Sequence, residues 1–258
     1  MKIIFIGAGN LATNLAKALC GAGNDIVQVF SRTEESARML ADRVGAEALT
    51  DVDEIASDAD LYIFSLKDSV LTDIINKVCN GRRTGLFVHT AGSIAIDVFK
   101  NRADRYGVFY PMQSFSKQRE VDFRHIPFFI EANSPEDSAA LHQLAETLSA
   151  DVYDINSDAR KHLHLAAVFA CNFANHCYEL SAEVLDKYNI PFSVMLQLID
   201  ETARKVHTVA PLDAQTGPAV RYDENVINMQ RELLADNQRL QTIYDVMSRS
   251  IHERAKNK

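Results

Sequence analysis

The chain has 258 residues, 47% of them hydrophobic and 24% charged, with no Trp, an ordinary composition for a soluble globular protein of one large or two modest domains. A formal net charge of −8 argues against a nucleic-acid backbone or an anionic membrane as partner, and no apolar run approaches the ~20 residues that span a bilayer. Cys20, Cys79, Cys171 and Cys177 form no CxxC pair, so free thiols in a reducing cytoplasm are expected, and no basic leader precedes the first apolar segment.

In chain order, residues 2–6 read as an apolar strand, 10–20 as a helix, 25–30 as a strand, and 34–44 as a helix that Thr33 is placed to cap. Apolar runs return at 61–66, 86–90, 105–109 and 127–132, with helical stretches at 69–80 and 135–150 between and after them. Alternation of this kind predicts an α/β fold with a doubly wound, mostly parallel sheet covered on both faces. The texture changes after residue 155: from 157 to 188 there is neither Gly nor Pro, and small and apolar residues recur at helical spacing. Ser157 reads as the N-cap of that helix, and Pro191 as the first turn of another reaching to about Val209. A polar break at 211–223 and two more helices follow, so the expected division is an α/β domain over 1–155 and an all-helical one over 156–258.

The sharpest motif is Gly7-Ala8-Gly9-Asn10-Leu11-Ala12, a GxGxxA pattern directly after a strand and opening a helix. Gly7 permits a tight turn, Gly9 lets the backbone approach a pyrophosphate, and Ala12 keeps helix and strand close. The free N–H groups of Asn10 and Leu11 then face the diphosphate. An NAD site places Asp or Glu at the end of the second strand, to accept from the ribose 2′-OH. Here stand Ser31, Arg32 and Thr33, which suit a 2′-phosphate instead and point to NADP(H). The alternative is a solvated arginine beside Glu34 and Glu35. Ligands bind at the carboxyl ends of parallel strands, so Ser65, Leu66 and Lys67, with Ala91 and Gly92, are expected to line the same crevice.

These residues, with His89-Thr90-Ala91-Gly92-Ser93, the segments 111–115 and 164–172, and Thr216-Gly217-Pro218-Ala219-Val220-Arg221, carry a resemblance over nearly the whole chain. It is to a bacterial group of NADP oxidoreductases that joins a Rossmann domain to a helical C-terminal domain of unknown function. That group is related to pyrroline-5-carboxylate reductase, ketopantoate reductase and the β-hydroxyacid dehydrogenases. The resemblance implies a hydride-transfer site completed by the second domain, which also forms a homodimer. It departs at Tyr110, where similar sequences often carry His.

Reduction of C=O or C=N needs a proton donor beside the cofactor. His164 and Asn172 lie about two helical turns apart, and an imidazole and an amide suit proton delivery and carbonyl polarisation. In the β-hydroxyacid dehydrogenases a Lys and an Asn on the equivalent helix serve comparable ends, which makes Lys161 a rival donor. Arg221 is a candidate grip on a substrate carboxylate, with Thr216, Gly217, Pro218 and Gln113 beside it, unless it merely pairs with Asp223 or Glu224. His162, His164 and His176 have no carboxylate or Cys at metal-site spacing, so no metal is expected. Met229, Leu233, Leu240, Ile243, Tyr244 and Met247 recur at helical spacing and read as core or dimer interface. The leading reading is an NADP-dependent oxidoreductase acting on a small, acidic carbonyl or imine compound. The alternatives are a non-catalytic NADP-binding sensor on the same fold, and a methyltransferase using S-adenosylmethionine.

Overall fold

The computed structural model describes residues 1–80 and 84–257. By packing, the chain divides into two compact units, Met1–Cys171 and Asn172–Lys258. The change of texture at residue 155 marks the end of the last strand, whereas the division by packing falls inside the helical run that follows it.

The first unit is built on one eight-stranded sheet, in the order β3-β2-β1-β4-β5-β6-β7-β8. Its strands are β1 (Lys2–Ile6), β2 (Asp25–Phe30), β3 (Glu47–Leu49), β4 (Leu61–Phe64), β5 (Leu86–His89), β6 (Tyr106–Pro111), β7 (Phe128–Ala132) and β8 (Val152–Asp154). Neighbours are parallel except β6 and β7, which run antiparallel. The helices are α1 (Asn10–Gly21), α2 (Glu34–Val44), α3 (Asp68–Val78), α4 (Pro135–Glu146) and α5 (Ser157–Ala167).

Strand periodicity of two decides which residues meet which helices. Ile3 and Phe5 of β1 face one core with Leu15, Leu40 and Leu144, while Ile4 and Ile6 face the other with Leu71, Ile75 and Phe99. Each such buried side chain contributes about 1.5–3 kcal/mol by leaving water, so both faces of the sheet are held by their helices. The strand order reverses between β1 and β4, and at such a switch point the loops after adjacent strands part to leave a crevice.

Two capping expectations are corrected. Thr33 stands at the N-cap of α2 but its side chain makes no capping bond there. The N-cap of α5 is Asn156, whose carbonyl oxygen accepts from the Ala159 N–H at 2.9 Å. Ser157 is thereby moved into the first turn, where its hydroxyl turns to Glu131 instead.

Helix α5 continues into a π-helical turn, Val168–Phe173, and then α6 (Ala174–Asp186). The second unit adds α7 (Leu196–Lys205), α8 (Pro211–Ala214), α9 (Pro218–Arg221), α10 (Glu224–Glu232) and α11 (Gln238–Lys256). Pro191 precedes a short 3-10 turn, Phe192–Met195, so the helix expected from it starts later, at Leu196, and stops at Lys205. No helix among the described residues is long and apolar enough to cross a membrane.

Candidate functional site

The turns after β1, β2, β4, β5 and β6 lie at one edge of the sheet, since all five strands run the same way. That edge collects Gly7, Gly9, Ser31, Arg32, Thr33, Ser65, Leu66, Lys67, Ala91, Gly92 and Gln113 on one side of the first unit.

The two glycines of the first turn do different work. Gly7 has φ +115°, donates its N–H to the Phe30 carbonyl at 2.8 Å, and a Cβ on it would collide with the Ser65 carbonyl. It is there for the fold. Gly9 has φ −78° and ψ −172°, and a Cβ on it would meet nothing within 4 Å. A glycine with no protein neighbour to accommodate is what close approach of a ligand requires. Asn10 and Leu11 open α1 directly behind it, with unspent amides at the positive end of the helix dipole.

At the end of β2, Ser31 is tied by its N–H to Leu49, and Arg32 and Thr33 are exposed. Glu34 pairs with Arg38 at 2.5 Å. Arg32 makes no ion pair among the described residues.

The turn after β5 is closed from inside. Buried His89 accepts the Ala91 N–H on Nδ1 at 3.1 Å, which makes Nε2 the protonated nitrogen of the neutral ring. Burial pushes the His89 pKa down to about 3, the Arg160 cation adds to this, and the Ala95 backbone opposes it. Gly92 follows with the His164 ring against it: a Cβ there would lie 2.6 Å from Cγ and Nδ1 of that ring.

His164 also meets the end of β6. Its Nδ1 is 3.1 Å from the Tyr110 phenol oxygen, with the two rings edge to face. Burial raises the Tyr110 pKa above the usual phenol value, against the opposing charge of Arg160, so the phenol is neutral at physiological pH. Tyr110 was the position where the resemblance broke down; a phenol there can hydrogen-bond an imidazole as either donor or acceptor.

The remaining predicted residues stand as follows. Lys161 is exposed and its side chain makes no hydrogen bond or ion pair among the described residues. Gln113 is exposed and accepts from the Ser114 N–H at 2.8 Å. Asn172 opens the second unit and is exposed. Thr216, Gly217, Pro218 and Arg221 also belong to the second unit, at the start of and within α9. Asp223 caps α10 through the Val226 N–H at 3.4 Å and makes no salt bridge with Arg221. Tyr222, which sequence reasoning passed over, takes the left-handed conformation (φ +54°) and stacks on His252 with ring centres 4.3 Å apart.

Comparison with known proteins bears on the family and the fold. Residues 2–91 match the family described as NADP oxidoreductase coenzyme F420-dependent, and residues 126–251 match a domain of unknown function, DUF2520. A solved structure from Bacteroides fragilis, provisionally named an NADP oxidoreductase, is 61% identical over 98% of both chains, with a TM-score of 0.94. An imine reductase from Myxococcus stipitatus, solved with NADP+, shares the fold at 16% identity and TM-score 0.71, covering 100% of this chain and 95% of its own. A 1-pyrroline-5-carboxylate reductase from Streptococcus pyogenes does so at 15% identity and TM-score 0.65, over 98% of each. Among curated proteins, a glutamyl-tRNA reductase of Staphylococcus carnosus is 28% identical over 158 residues; they make up 59% of this chain, which spans only 33% of that protein's length. The chain therefore belongs to the NADP oxidoreductase family that joins this dinucleotide-binding domain to a DUF2520 domain.

Proposed function

We propose that this protein is an NADPH-dependent reductase of a small acidic carbonyl or imine compound, with Tyr110 and His164 supplying the proton. The observation that carries the reading is the 3.1 Å contact between Tyr110 Oη and His164 Nδ1, beside Gly92 at the cofactor edge of the sheet. Gly9, Asn10 and Leu11 are suited to hold the diphosphate, and Ser31, Arg32 and Thr33 a 2′-phosphate, with Arg32 in no ion pair among the described residues.

NADPH, when bound, supplies a hydride to the carbon of a C=O or C=N bond. The heteroatom then needs a proton, which the protein must place. In this reading the Tyr110 phenol donates to Nδ1 of His164, in the tautomer that carries the ring hydrogen on Nε2. His164 gives that proton to the substrate heteroatom while Nδ1 takes the phenol proton, so the imidazole stays neutral and the charge passes to Tyr110. Asn172 and Lys161 are the other candidates for contact with the reacting group, and Arg221 for gripping a carboxylate.

A homodimer is part of the same reading. In the second unit Leu180, Ala219 and Leu240 are the buried apolar residues, whereas Leu198, Leu233 and Val246 are 63%, 67% and 61% exposed. So thin a core leaves apolar surface for a second copy to cover. Sedimentation at micromolar concentration tests this, and a monomer refutes it.

The cofactor is tested by calorimetric titration with NADPH, NADH and S-adenosylmethionine, in the wild type and in Arg32→Ala. Preferential NADPH binding that Arg32→Ala weakens supports the reading; equal or tighter NADH binding removes the role given to Arg32. Turnover is tested on a panel of keto acids and cyclic imines, with coenzyme F420 as an alternative hydride partner. Loss of turnover in His164→Ala supports an enzyme. Tight NADPH binding without turnover across the panel makes the protein a sensor.

A further inference from the structure

Among the described residues Arg160 heads the large side chains that are fully buried. It lies on α5 one turn before His164, so both side chains project from the same face of the helix. Its Nη1 meets Glu131 of β7, and its Nη2 meets the Ile94 carbonyl in the loop after β5. The Ser157 hydroxyl joins all three elements. It accepts from Arg160 Nη2 at 3.3 Å and from the Ile96 N–H at 2.9 Å, and donates to Glu131 at 2.8 Å. Glu131 also takes the Ser157 N–H at 2.9 Å, while Arg160 Nε has no partner among the described residues.

A buried ion pair is a poor source of stability, because desolvation consumes most of the Coulombic gain and apolar residues of equal volume serve as well. What it supplies is geometry and charge. The cluster ties α5 to β7 and to the loop that carries Gly92, which sets where the His164 ring sits. We propose that Arg160 is a positioning residue for the Tyr110–His164 pair, locking α5 against the Gly92 loop and keeping a buried positive charge one helical turn from His164. This rests on the proton-delivery reading above. When Tyr110 gives up its proton, the oxygen left behind is an anion in a half-closed site, and a fixed cation stabilises it there without reorganisation.

The charged and titratable groups around the pair are Arg160 itself, Glu131 of β7, His89 of β5 and His164. The Arg160 charge already acts against the burial that raises the Tyr110 pKa.

The test is NMR of the full chain with tyrosine labelled at 13Cζ, following Tyr110 through the alkaline range, with Tyr110→Phe assigning its resonance. In Arg160→Met the midpoint moves to higher pH, because the opposing cation is gone. In Glu131→Gln it moves to lower pH, because the cation loses its counter-charge, while the His164 Nδ1 resonance keeps its hydrogen-bonded position. A purely structural cluster predicts another pattern: both variants open the site, and both midpoints fall toward that of a free phenol as the His164 bond is lost. That pattern, or no movement in either variant, overturns the proposal. If Arg160→Met does not fold, Glu131→Gln decides alone, through the midpoint and the His164 resonance together. No cofactor is in the sample, so failure here leaves the NADPH reading standing, while failure to bind NADPH removes the reaction the pair would serve and leaves the measured effect of Arg160 on Tyr110 in place.

Discussion

The Tyr110 phenol oxygen stands 3.1 Å from His164 Nδ1, joining the end of strand β6 to helix α5 across 54 residues of sequence. The distance and the neutral phenol make the pair a donor and an acceptor rather than two side chains that happen to touch. In Tyr110→Phe the imidazole keeps its place but loses its hydrogen-bond partner. Turnover is expected to fall by roughly 10²-fold, the lower range for general-acid groups, with the KM for NADPH little changed. Tyr110→His restores a group that bonds Nδ1 and recovers part of the rate. Steady-state kinetics on the substrate found by the panel checks both variants; an unchanged rate in Tyr110→Phe removes Tyr110 from proton delivery.

The contact between Gly92 and His164 leaves no room for a methyl group. A Cβ at residue 92 would sit 2.6 Å from the ring, so Gly92→Ala has to push the imidazole off its site. The expected cost is about 1–3 kcal/mol, typical of overpacking, together with loss of the Tyr110–His164 bond. Thermal denaturation and the His164 imidazole spectrum read the two effects. A stable Gly92→Ala with the bond intact shows that α5 yields more easily than its buried clamp implies.

Gly7 and Gly9 give a sharper contrast, being two residues apart in one motif. Gly7→Ala meets the Ser65 carbonyl and must hold φ near +115°, so it is expected to lose about 3 kcal/mol or more and to fold poorly. Gly9→Ala meets nothing within 4 Å at an ordinary φ of −78°. Its melting temperature should stay within a degree or two of the wild type, while NADPH affinity falls at least about tenfold because the methyl group stands where the diphosphate approaches. Calorimetry alongside a melting curve separates the two. If Gly9→Ala binds NADPH normally, the diphosphate lies elsewhere.

Much of this was legible in the residues. Apolar runs fixed β1, β2, β4, β5 and β7 to within two residues, and the glycine turn stands between β1 and α1 as its pattern requires. Two strands were missed, Glu47–Leu49 and Val152–Asp154, because three residues at a sheet edge show no usable period. The antiparallel step between β6 and β7 was also hidden, since strand direction depends on the connection and not on local pattern. The site was harder still. Arg160, between Asp158 and Lys161, reads as part of a solvated helix face; only the tertiary fold buries it. One signal did exist: Glu131 interrupts the apolar run of β7, and a carboxylate in such a run calls for a buried partner. Tyr110 stands out in the sequence only as a departure from its relatives, because its contact with His164 depends on a distance that sequence spacing does not encode.

His89 supplies a prediction about pH. It is fully buried with its Nδ1 occupied by the Ala91 N–H, and its pKa falls to about 3 in the folded chain. In the unfolded chain a histidine titrates near about 6.5. Between those values the unfolded state holds a proton that the folded state does not, so acid favours unfolding. The stabilising contribution of neutral His89 is complete above about pH 6.5. It is lost progressively below that, by about 1.4 kcal/mol for each pH unit, or roughly 2 kcal/mol at pH 5. His89→Asn keeps an acceptor for the Ala91 amide but carries no proton that titrates in this range. Its denaturation midpoint in urea should therefore fall less steeply than the wild type's from pH 7 to pH 5. Parallel slopes for the two proteins would place the acid sensitivity in other groups and show that His89 takes up its proton without opening the turn after β5.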